Sequence, residues 1–317
     1  MRKLLVFLPE LKEALREKIR SAAEGAGLAC VFCDAEEDAL REAAEAEIIL
    51  GQSRELALRA RALRWFCTPS AGVNHLQGAI PDGAVLTNSS GAYGVTIAEH
   101  TVMVSLEMMR RQAEYNAIVS RRAWARGLPV TSLHGARITL VGTGDIGREC
   151  ALRLRAFRPR SLTGINRSGA NPDGLFDEAL PVTGLDGALP RTDLLILSLP
   201  ETPETIGLLN RSRLEALPES AILVNVGRGS ALDQKALESL LRAGRLRGAA
   251  LDVFEKEPLD PEDSLWTCPN LLITPHVAGN MTLPYTVERI TELFLEDLER
   301  YLRGLPLRRQ VDLHRGY

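Results

Sequence analysis

Three ionisable side chains in the second half of the sequence follow predicted strands and could act together: Arg228, Glu257 and His276. An arginine can hold a carboxylate through two parallel hydrogen bonds, and a histidine can give or take a proton near neutral pH. A carboxylate next to the histidine would favour the protonated ring and fix its orientation. Reduction of a ketone needs such a proton donor within hydrogen-bond reach of the carbonyl oxygen. The three residue types could therefore bind and protonate a 2-oxo acid.

Each of these side chains also has a structural explanation. Arg228 could pair with a nearby acid at a strand end, Glu257 could be a solvated charge in an acidic turn, and His276 could be a satisfied histidine after a proline. Their common position favours a functional site. All three follow strands of one predicted nucleotide-binding unit, where open α/β sheets place their ligands.

A glycine-rich turn precedes these residues in the same unit. The sequence G-x-G-x-x-G lies between the apolar run 137–141 and a helical stretch that begins near Asp145. In such a turn the first glycine allows the tight bend, the second lets the backbone approach a pyrophosphate, and the third lets helix pack on strand. This context favours dinucleotide binding over an ordinary strand-to-helix turn. The predicted contacts are Gly142, Gly144, Asp145, Ile146 and Gly147.

The end of the second strand of this unit indicates which dinucleotide is bound. A cofactor without a 2′-phosphate is usually held there by an acidic residue, but this sequence has Asn166, Arg167 and Ser168. Arg167 can pair with a 2′-phosphate, and Asn166 and Ser168 can donate hydrogen bonds to it. Alternatively, Arg167 is a solvated residue that stacks on the adenine of either cofactor. The sequence favours NADP(H) over NAD(H).

Short apolar runs alternate with amphipathic stretches over most of the chain, which is typical of parallel β/α layering. In the first third, the predicted strands are 3–8, 28–32, 47–51, 65–68 and 85–88, and the predicted helices are 10–25, 36–45 and 56–62. The alternation restarts with predicted strands at 137–141, 161–166, 194–199, 221–226, 248–253 and 271–274. The sequence therefore predicts two α/β units.

Two longer helical patterns accompany these units. Residues 95–125 predict one long helix between them, in which Thr96 and Glu99 fit a capping box. After Pro275, residues 282–303 predict a second helix, because apolar residues recur there at helical spacing.

The composition excludes several classes of partner. The 38 basic and 41 acidic residues give a formal net charge of -3, so no overall positive charge would attract nucleic acid or anionic lipid. The apolar runs are too short to cross a bilayer. Five cysteines, an odd number, argue against a disulfide framework, and Cys30 and Cys33 are expected to be simple thiols. The histidines show no metal-ligand spacing. We expect a cytoplasmic protein without metal, nucleic acid or membrane partners.

Three further segments occur in an order typical of one family: Asn225–Gly229, Leu251–Pro258 and Ile273–Gly279. Together with the glycine-rich turn they closely resemble the D-isomer-specific 2-hydroxyacid dehydrogenase family, and the resemblance covers nearly the whole chain. It implies that Arg228 binds the substrate carboxylate and 2-oxo group. His276 would be the acid/base, and Glu257 would be its carboxylate partner.

The resemblance also implies a substrate loop in the first unit. Residues 68–74 resemble the family loop whose backbone amides hold the substrate carboxylate, and the expected donors are Ala71, Gly72 and Val73. A tight turn after a strand is the alternative for any one of these amides.

Other cofactor contacts follow from the same resemblance. Asp252 matches the position beside the nicotinamide carboxamide, although a turn-forming aspartate is the alternative. Thr96 could touch the nicotinamide or merely cap its helix. The family commonly has histidine where Ser198 stands, which affects cofactor fit. The remaining expected contacts are Leu199, Pro200, Val226, Gly227 and Gly279.

The fold that these observations imply is α/β, with two doubly wound parallel-sheet domains and a Rossmann cofactor domain inserted into a flavodoxin-like substrate domain. Residues 1–93 and 282–317 would form the substrate domain, and residues 94–281 the NAD(P)-binding domain, with the active cleft between the two. Closure about the two connections would expel water. The resemblance implies a homodimer that uses the cofactor domains and the long helix.

The expected activity is NAD(P)H-dependent interconversion of a small 2-oxo acid and its D-2-hydroxy acid, with glyoxylate or hydroxypyruvate favoured. A short enzyme similar to phosphoglycerate dehydrogenase is one alternative. A dinucleotide-sensing scaffold similar to the family's transcriptional corepressors is another, and because those proteins keep the catalytic trio, the trio does not exclude it.

Overall fold

The computed structural model describes residues 2–312, and the chain forms two units. The first unit comprises Met1–Tyr93 and Asn280–Tyr317, and the second comprises Gly94–Gly279. The second unit is therefore an insertion in the first along the chain. Residue 1 and residues 313–317, which belong to the predicted substrate domain, lie outside the described residues.

A parallel sheet in the order β2-β1-β3-β4-β5 organises the described part of the first unit. Its strands are β1 (Lys3–Val6), β2 (Ala29–Phe32), β3 (Ile48–Leu50), β4 (Trp65–Cys67) and β5 (Val85–Thr87). The helices α1 (Glu13–Glu24), α2 (Glu36–Glu42) and α3 (Arg54–Arg59) alternate with the strands. The order is that of flavodoxin-like doubly wound sheets. Every residue of β1, β3 and β4 is buried, because helices cover both faces of such a sheet.

The second unit contains a larger parallel sheet in the order β12-β11-β10-β9-β6-β7-β8. Its strands are β6 (Arg137–Val141), β7 (Ser161–Asn166), β8 (Glu178–Pro181), β9 (Leu194–Leu197), β10 (Ile222–Asn225), β11 (Gly248–Leu251) and β12 (Leu271–Ile273). The chain order reverses between β6 and β9, and ligands bind outside the carboxyl ends of the strands at such a switch point. The predicted fold class, a Rossmann unit inserted into a flavodoxin-like unit, is confirmed.

The helices of the second unit are α4 (Gly94–Arg110), α5 (Gln112–Ser120), α6 (Asp145–Arg155), α7 (Leu185–Ala188), α8 (Arg211–Glu215) and α9 (Gln234–Arg242). The last helix, α10 (Pro284–Leu302), belongs to the first unit. It packs on β4, where Trp65 stacks on Phe294 and Tyr301 with ring centroids 5.2 and 5.4 Å apart. The indole N–H of Trp65 donates to Thr87 Oγ1 at 2.8 Å. The returning helix is thus part of the first unit's core.

The prediction of one helix over residues 95–125 was wrong. Arg111 has a left-handed backbone with φ 55°, which ends α4 and begins α5, and the chain leaves helix after Ser120. The buried face of α4 ends at Met109, whereas α5 has no buried residue, so packing does not require one continuous helix. The predicted capping box was also wrong, because α4 begins at Gly94 and Thr96 lies inside its first turn.

Sequence reasoning also missed β8. This strand lies at the edge of the sheet, is only partly buried and ends in Pro181. Proline is tolerated at sheet edges, but such a strand lacks the apolar run that identified the others.

The turn from β6 to α6 is shaped by its glycines. Gly142 has φ +102°, which a residue with a side chain rarely adopts. Gly147 packs so closely that an added Cβ would lie 2.1 Å from the carbonyl oxygen of Gly142. Around Gly144, by contrast, an added Cβ would meet no atom within 4 Å. The turn is therefore tight against the protein at its ends and open in its middle.

Replacing Gly147 with alanine is expected to lower the free energy of unfolding by about 1–3 kcal/mol or more, because its methyl group would force helix and turn apart. Gly144→Ala is the matched control, since its surroundings are open and its φ of −71° suits alanine. Chemical denaturation followed by tryptophan fluorescence measures both. Equal stability of the two variants would contradict the packing role of Gly147.

Candidate active site

The predicted site residues of the second unit, apart from Thr96, lie at or just after the carboxyl ends of its strands. After β6 come Gly142, Gly144, Asp145, Ile146 and Gly147; at the end of β7 and after it, Asn166, Arg167 and Ser168; after β9, Leu199 and Pro200; after β10, Val226, Gly227 and Arg228; after β11, Asp252 and Glu257; and after β12, His276 and Gly279. The sheet therefore brings segments that are distant in sequence to one edge. Thr96 lies apart from this series, in the first turn of α4.

His276 and Glu257 form a direct hydrogen bond, with 2.6 Å between Nδ1 and Oε2. The other carboxylate oxygen of Glu257 accepts the backbone N–H of Phe254 at 2.9 Å, which fixes the carboxylate. The histidine side chain is 50% exposed and the glutamate side chain 34%. Because Nδ1 faces the carboxylate, Nε2 is the ring nitrogen that can face a substrate. The geometry is that of an acid/base histidine oriented by a carboxylate.

Arg228 follows β10 on a turn that a buried asparagine holds. The Asn225 amide donates to the carbonyl oxygen of Arg228 at 3.0 Å, and its oxygen accepts the N–H of Gly227 at 3.1 Å. Asn225 is fully buried at the end of the strand. Sequence reasoning missed this role, although a polar residue ending the apolar run Ile222–Val224 is a signal that could have found it.

The electrostatic surroundings of Arg228 suit an anionic ligand. Burial lowers the pKa of its guanidinium, whereas the negative charges of Glu201 and Glu257 raise it. Glu201 is itself held by Ser230, whose hydroxyl donates to it at 2.5 Å. A partly desolvated guanidinium gains strongly from a bidentate carboxylate partner. The carboxylate of Glu257 thus acts on the charge of Arg228 and also accepts a hydrogen bond from His276.

Asp252 is buried and holds the turn that carries His276. Its side chain is 2% exposed, and its two oxygens accept hydrogen bonds from Thr274 Oγ1 at 2.6 Å and from the backbone N–H groups of Val277 and Ala278 at 2.9 and 3.0 Å. The alternative weighed for this aspartate, turn formation, is what these contacts show. Sequence reasoning missed Thr274.

The residues after β7 form a loop that Asn166 organises. Its amide nitrogen donates to Thr143 Oγ1 at 3.0 Å and to the carbonyl oxygen of Ala170 at 2.9 Å, so both amide hydrogens are used inside the protein. Its oxygen accepts the N–H of Ser168 at 3.0 Å. Arg167 and Ser168 are exposed. Asn166 thus joins this loop to the glycine-rich turn, and its neighbours Arg167 and Ser168 are the exposed side chains of the loop.

Other contacts connect the remaining cofactor positions. Ser198 Oγ donates to the carbonyl oxygen of Gly142 at 3.1 Å, which joins the loop after β9 to the glycine-rich turn. An added Cβ on Gly227 would lie 2.6 Å from the backbone nitrogen of Leu199, so these two segments are in close contact. Gly94 lies against the carboxylate of Asp145, which places the first turn of α4 beside the start of α6.

The open turn around Gly144 meets the requirements of a dinucleotide. Its open space and the N-terminus of α6, an eleven-residue helix that begins at Asp145, suit a pyrophosphate. The residues present therefore fit a nicotinamide dinucleotide.

The predicted substrate loop of the first unit follows β4. Tyr93 Oη donates to the carbonyl oxygen of Pro69 at 2.8 Å, and Asn88 donates to that of Ala71 at 2.9 Å. Val73 is buried, and Ala71 and Gly72 are partly buried. The two polar side chains fix the loop backbone, and sequence reasoning missed both.

Two structural features are absent from residues 2–312. No helix there has both the length and the apolarity to cross a membrane. No group of three or more His, Cys, Asp or Glu side chains there could hold a metal ion.

Comparison with known proteins identifies the family. A family model described as "D-isomer specific 2-hydroxyacid dehydrogenase, NAD binding domain" matches residues 102–278, more than half of the chain. A D-3-phosphoglycerate dehydrogenase from Archaeoglobus fulgidus is 28% identical over 87% of this chain and 53% of the relative. The chain thus spans about half the length of that relative.

Two further proteins match over larger shares of their own length. A glyoxylate reductase from Thermofilum pendens is 33% identical over 76% of this chain and 73% of the relative. The crystal structure of an NADPH-dependent glyoxylate/hydroxypyruvate reductase from Sinorhizobium meliloti, in complex with NADP and sulfate, has a TM-score of 0.82 and 28% identity and covers 100% of both chains. The chain belongs to the D-isomer specific 2-hydroxyacid dehydrogenase family.

Proposed function

We propose that this protein reduces a small 2-oxo acid to its D-2-hydroxy acid with NADPH, and that glyoxylate and hydroxypyruvate are its substrates. The observation that carries the proposal is the His276–Glu257 hydrogen bond of 2.6 Å beside the partly desolvated guanidinium of Arg228, at the carboxyl edge of a Rossmann sheet. The names of the Thermofilum relative and the Sinorhizobium neighbour support the substrate class.

Each member of the trio has one task in this proposal. Arg228 binds the substrate carboxylate and polarises the adjacent carbonyl, which selects 2-oxo acids in one orientation. His276 donates the proton on Nε2 to the carbonyl oxygen as negative charge develops there, and Glu257 stabilises the charged ring through Nδ1. The bound dinucleotide supplies the hydride. We also propose that the amides of Ala71, Gly72 and Val73 bind the substrate carboxylate.

The proposed cofactor contacts lie in different segments of the second unit, and each segment would bind a different part of the dinucleotide. The turn with Gly142, Gly144 and Gly147 would hold the pyrophosphate, with Asp145 and Ile146 beginning the helix behind it. Arg167 and Ser168 would hold a 2′-phosphate on the loop that Asn166 shapes. The remaining proposed contacts are Thr96, Leu199, Pro200, Val226, Gly227, Asp252 and Gly279.

Replacing His276 with alanine is expected to lower kcat for glyoxylate or hydroxypyruvate by roughly 10²–10⁴-fold, because the proton donor is lost. The dissociation constant of NADPH, measured by fluorescence titration, is expected to stay unchanged. His134→Ala, an exposed histidine of the same unit, is the control. A loss of less than about tenfold in His276→Ala would contradict the proposed acid/base role.

Replacing Arg167 with alanine is expected to raise KM for NADPH about 10- to 100-fold and to leave KM for NADH unchanged, since a charge-assisted bond to the 2′-phosphate is removed. Arg191→Ala, which also removes an exposed arginine of this unit, is the control. Steady-state kinetics with both cofactors measure the effect. Wild-type catalytic efficiency at least as high with NADH as with NADPH would contradict the preference.

A phosphoglycerate dehydrogenase activity is the second candidate, because the Archaeoglobus relative carries that name. A substrate panel that contains glyoxylate, hydroxypyruvate, longer 2-oxo acids and 3-phosphohydroxypyruvate separates the two. Highest kcat/KM on the phosphorylated acid would support the second candidate. No turnover on the whole panel, together with a stable protein partner in a pull-down, would support a dinucleotide-sensing scaffold instead.

We propose a homodimer formed through the second unit. Met103 on α4, Val119 on α5 and Trp124 after it are 51%, 68% and 92% exposed, although all three are large and apolar. Helix α5 buries no residue within the chain. An apolar surface of this kind favours a protein partner.

Val119→Glu is expected to convert the dimer to monomer at micromolar concentration, because a charge would be buried without a partner. Leu58→Glu, at a 53% exposed leucine of the first unit, is the control. Sedimentation velocity measures both. A monomeric wild-type protein, or a Val119→Glu variant that stays dimeric, would contradict the proposed interface.

We place the enzyme in the cytoplasm. All five cysteines are free and lie within the described residues, and Cys30 and Cys33 form no disulfide. Unpaired thiols are typical of reducing compartments. This supports the location that the composition predicted.

A further inference from the structure

We propose that His100 and Thr274 are positioning residues for catalysis, and that a hydrogen-bond relay from His100 through Thr274 to Asp252 holds the turn that carries His276. The inference rests on the proposed function, because turnover of a 2-oxo acid is one of its readouts. It concerns two side chains to which sequence analysis assigned no role, one of them on a helix that contributes none of the catalytic trio.

Hydrogen bonds to the side chain and the backbone of Asp252 hold the turn formed by residues 274–278. Within residues 274–278, Thr274, Val277 and Ala278 all donate to the Asp252 carboxylate, and the backbone N–H of His276 donates to the Asp252 carbonyl oxygen at 2.9 Å. His276 itself has a left-handed backbone with φ 54°, which is uncommon for a residue other than glycine. A rotation of the Asp252 carboxylate would therefore displace the catalytic imidazole.

The direction of each hydrogen bond in the relay follows from a count of protons. Thr274 Oγ1 lies 2.6 Å from Asp252 Oδ1 and 3.3 Å from His100 Nε2. The ionised carboxylate has no proton to give, so the single hydroxyl proton of Thr274 goes to it. The hydroxyl oxygen must then accept from His100, which places a proton on Nε2. The imidazole thus fixes the rotamer in which Thr274 donates to Asp252.

The surroundings of His100 keep it in the required state. Its side chain is 12% exposed and lies 4.0 Å from the Asp252 carboxylate, whose own side chain is 2% exposed. Burial lowers the pKa of His100, and the charge of Asp252 opposes this effect. At neutral pH the ring is then a neutral donor with one proton on Nε2. His100 is on α4 and not on a segment that follows a strand of the sheet. This helix therefore supports the turn formed by residues 274–278.

The geometry requires a hydroxyl at position 274 and an N–H donor at position 100, and two pairs of variants test this. Thr274→Val and His100→Leu remove the relay, and each is expected to lower kcat about 10- to 100-fold through displacement of His276. KM for the 2-oxo acid is expected to change less than about twofold, because Arg228 lies outside the relay. Thr274→Ser and His100→Gln keep the hydroxyl and the N–H donor, and their kcat is expected to stay within about threefold of wild type.

A buried threonine elsewhere in the same sheet controls for loss of a hydroxyl as such. Thr139 and Thr192 form a buried hydroxyl pair at 2.7 Å that has no connection to the catalytic turn. Thr139→Val is expected to lower the melting temperature without changing kcat. If Thr274→Val does not fold, the comparison of His100→Leu with His100→Gln tests the relay instead. The relay is overturned if the folded Thr274→Val or His100→Leu variant keeps wild-type kcat, or if the conservative variants lose as much kcat as the others.

A readout without turnover separates this inference from the proposed function. The ring ¹⁵N resonances of His276 report whether Nδ1 still donates to Glu257, and they are expected to change in Thr274→Val but not in Thr274→Ser or Thr139→Val. A wild-type protein that turns over no 2-oxo acid would overturn the proposed function, while these spectra would still decide on the relay. Unchanged His276 resonances in Thr274→Val would overturn the relay whatever the substrate.

Discussion

The hydrogen bond between His276 Nδ1 and Glu257 Oε2 is the contact on which the proposed chemistry depends. It can form because β11 and β12 are parallel neighbours, so that the segments after both strands begin at the same edge of the sheet. Arg228 follows β10, which pairs with β11. Burial lowers the pKa of the Arg228 guanidinium, and the negative charge of Glu257 opposes this effect. Three adjacent strands therefore lead to the proposed acid, to the carboxylate that hydrogen-bonds it and to the cation proposed to bind the substrate.

Buried polar side chains hold these functional segments in place. Asn225, at the end of β10, and Asp252, directly after β11, are almost completely buried, which would be costly if their polar atoms were unpaired. Both are instead satisfied by donors and acceptors of the turns they support. A turn fixed in this way presents its functional side chain in one position, as catalysis requires. The same principle applies to Asn88 and Tyr93, which fix the loop after β4.

The fold was largely predictable because its strands are continuous apolar runs and its glycine-rich turn has a specific spacing. The positions of Arg228, Glu257 and His276 just after strands were predictable as well, since each lies in a recognisable segment, and their catalytic roles stay a prediction. The break in the helix at Arg111 was not, because helical periodicity continues through it and only the absence of buried residues in α5 explains it. His100 and Thr274 are 174 residues apart, and no local pattern pairs them. Hydrogen bonds between distant elements are decided by packing, which the sequence pattern does not encode.

Asn166 shows how residues that are equivalent candidates in the sequence can take different tasks in the structure. An asparagine, an arginine and a serine after β7 are all able to donate to a phosphate, and from sequence they are equivalent candidates. In the structure the asparagine gives both amide hydrogens to Thr143 and Ala170. It therefore contributes the shape of the loop and its link to the glycine-rich turn. The proposed discrimination between cofactors then falls to the exposed neighbours, and charge rather than the number of donors decides it.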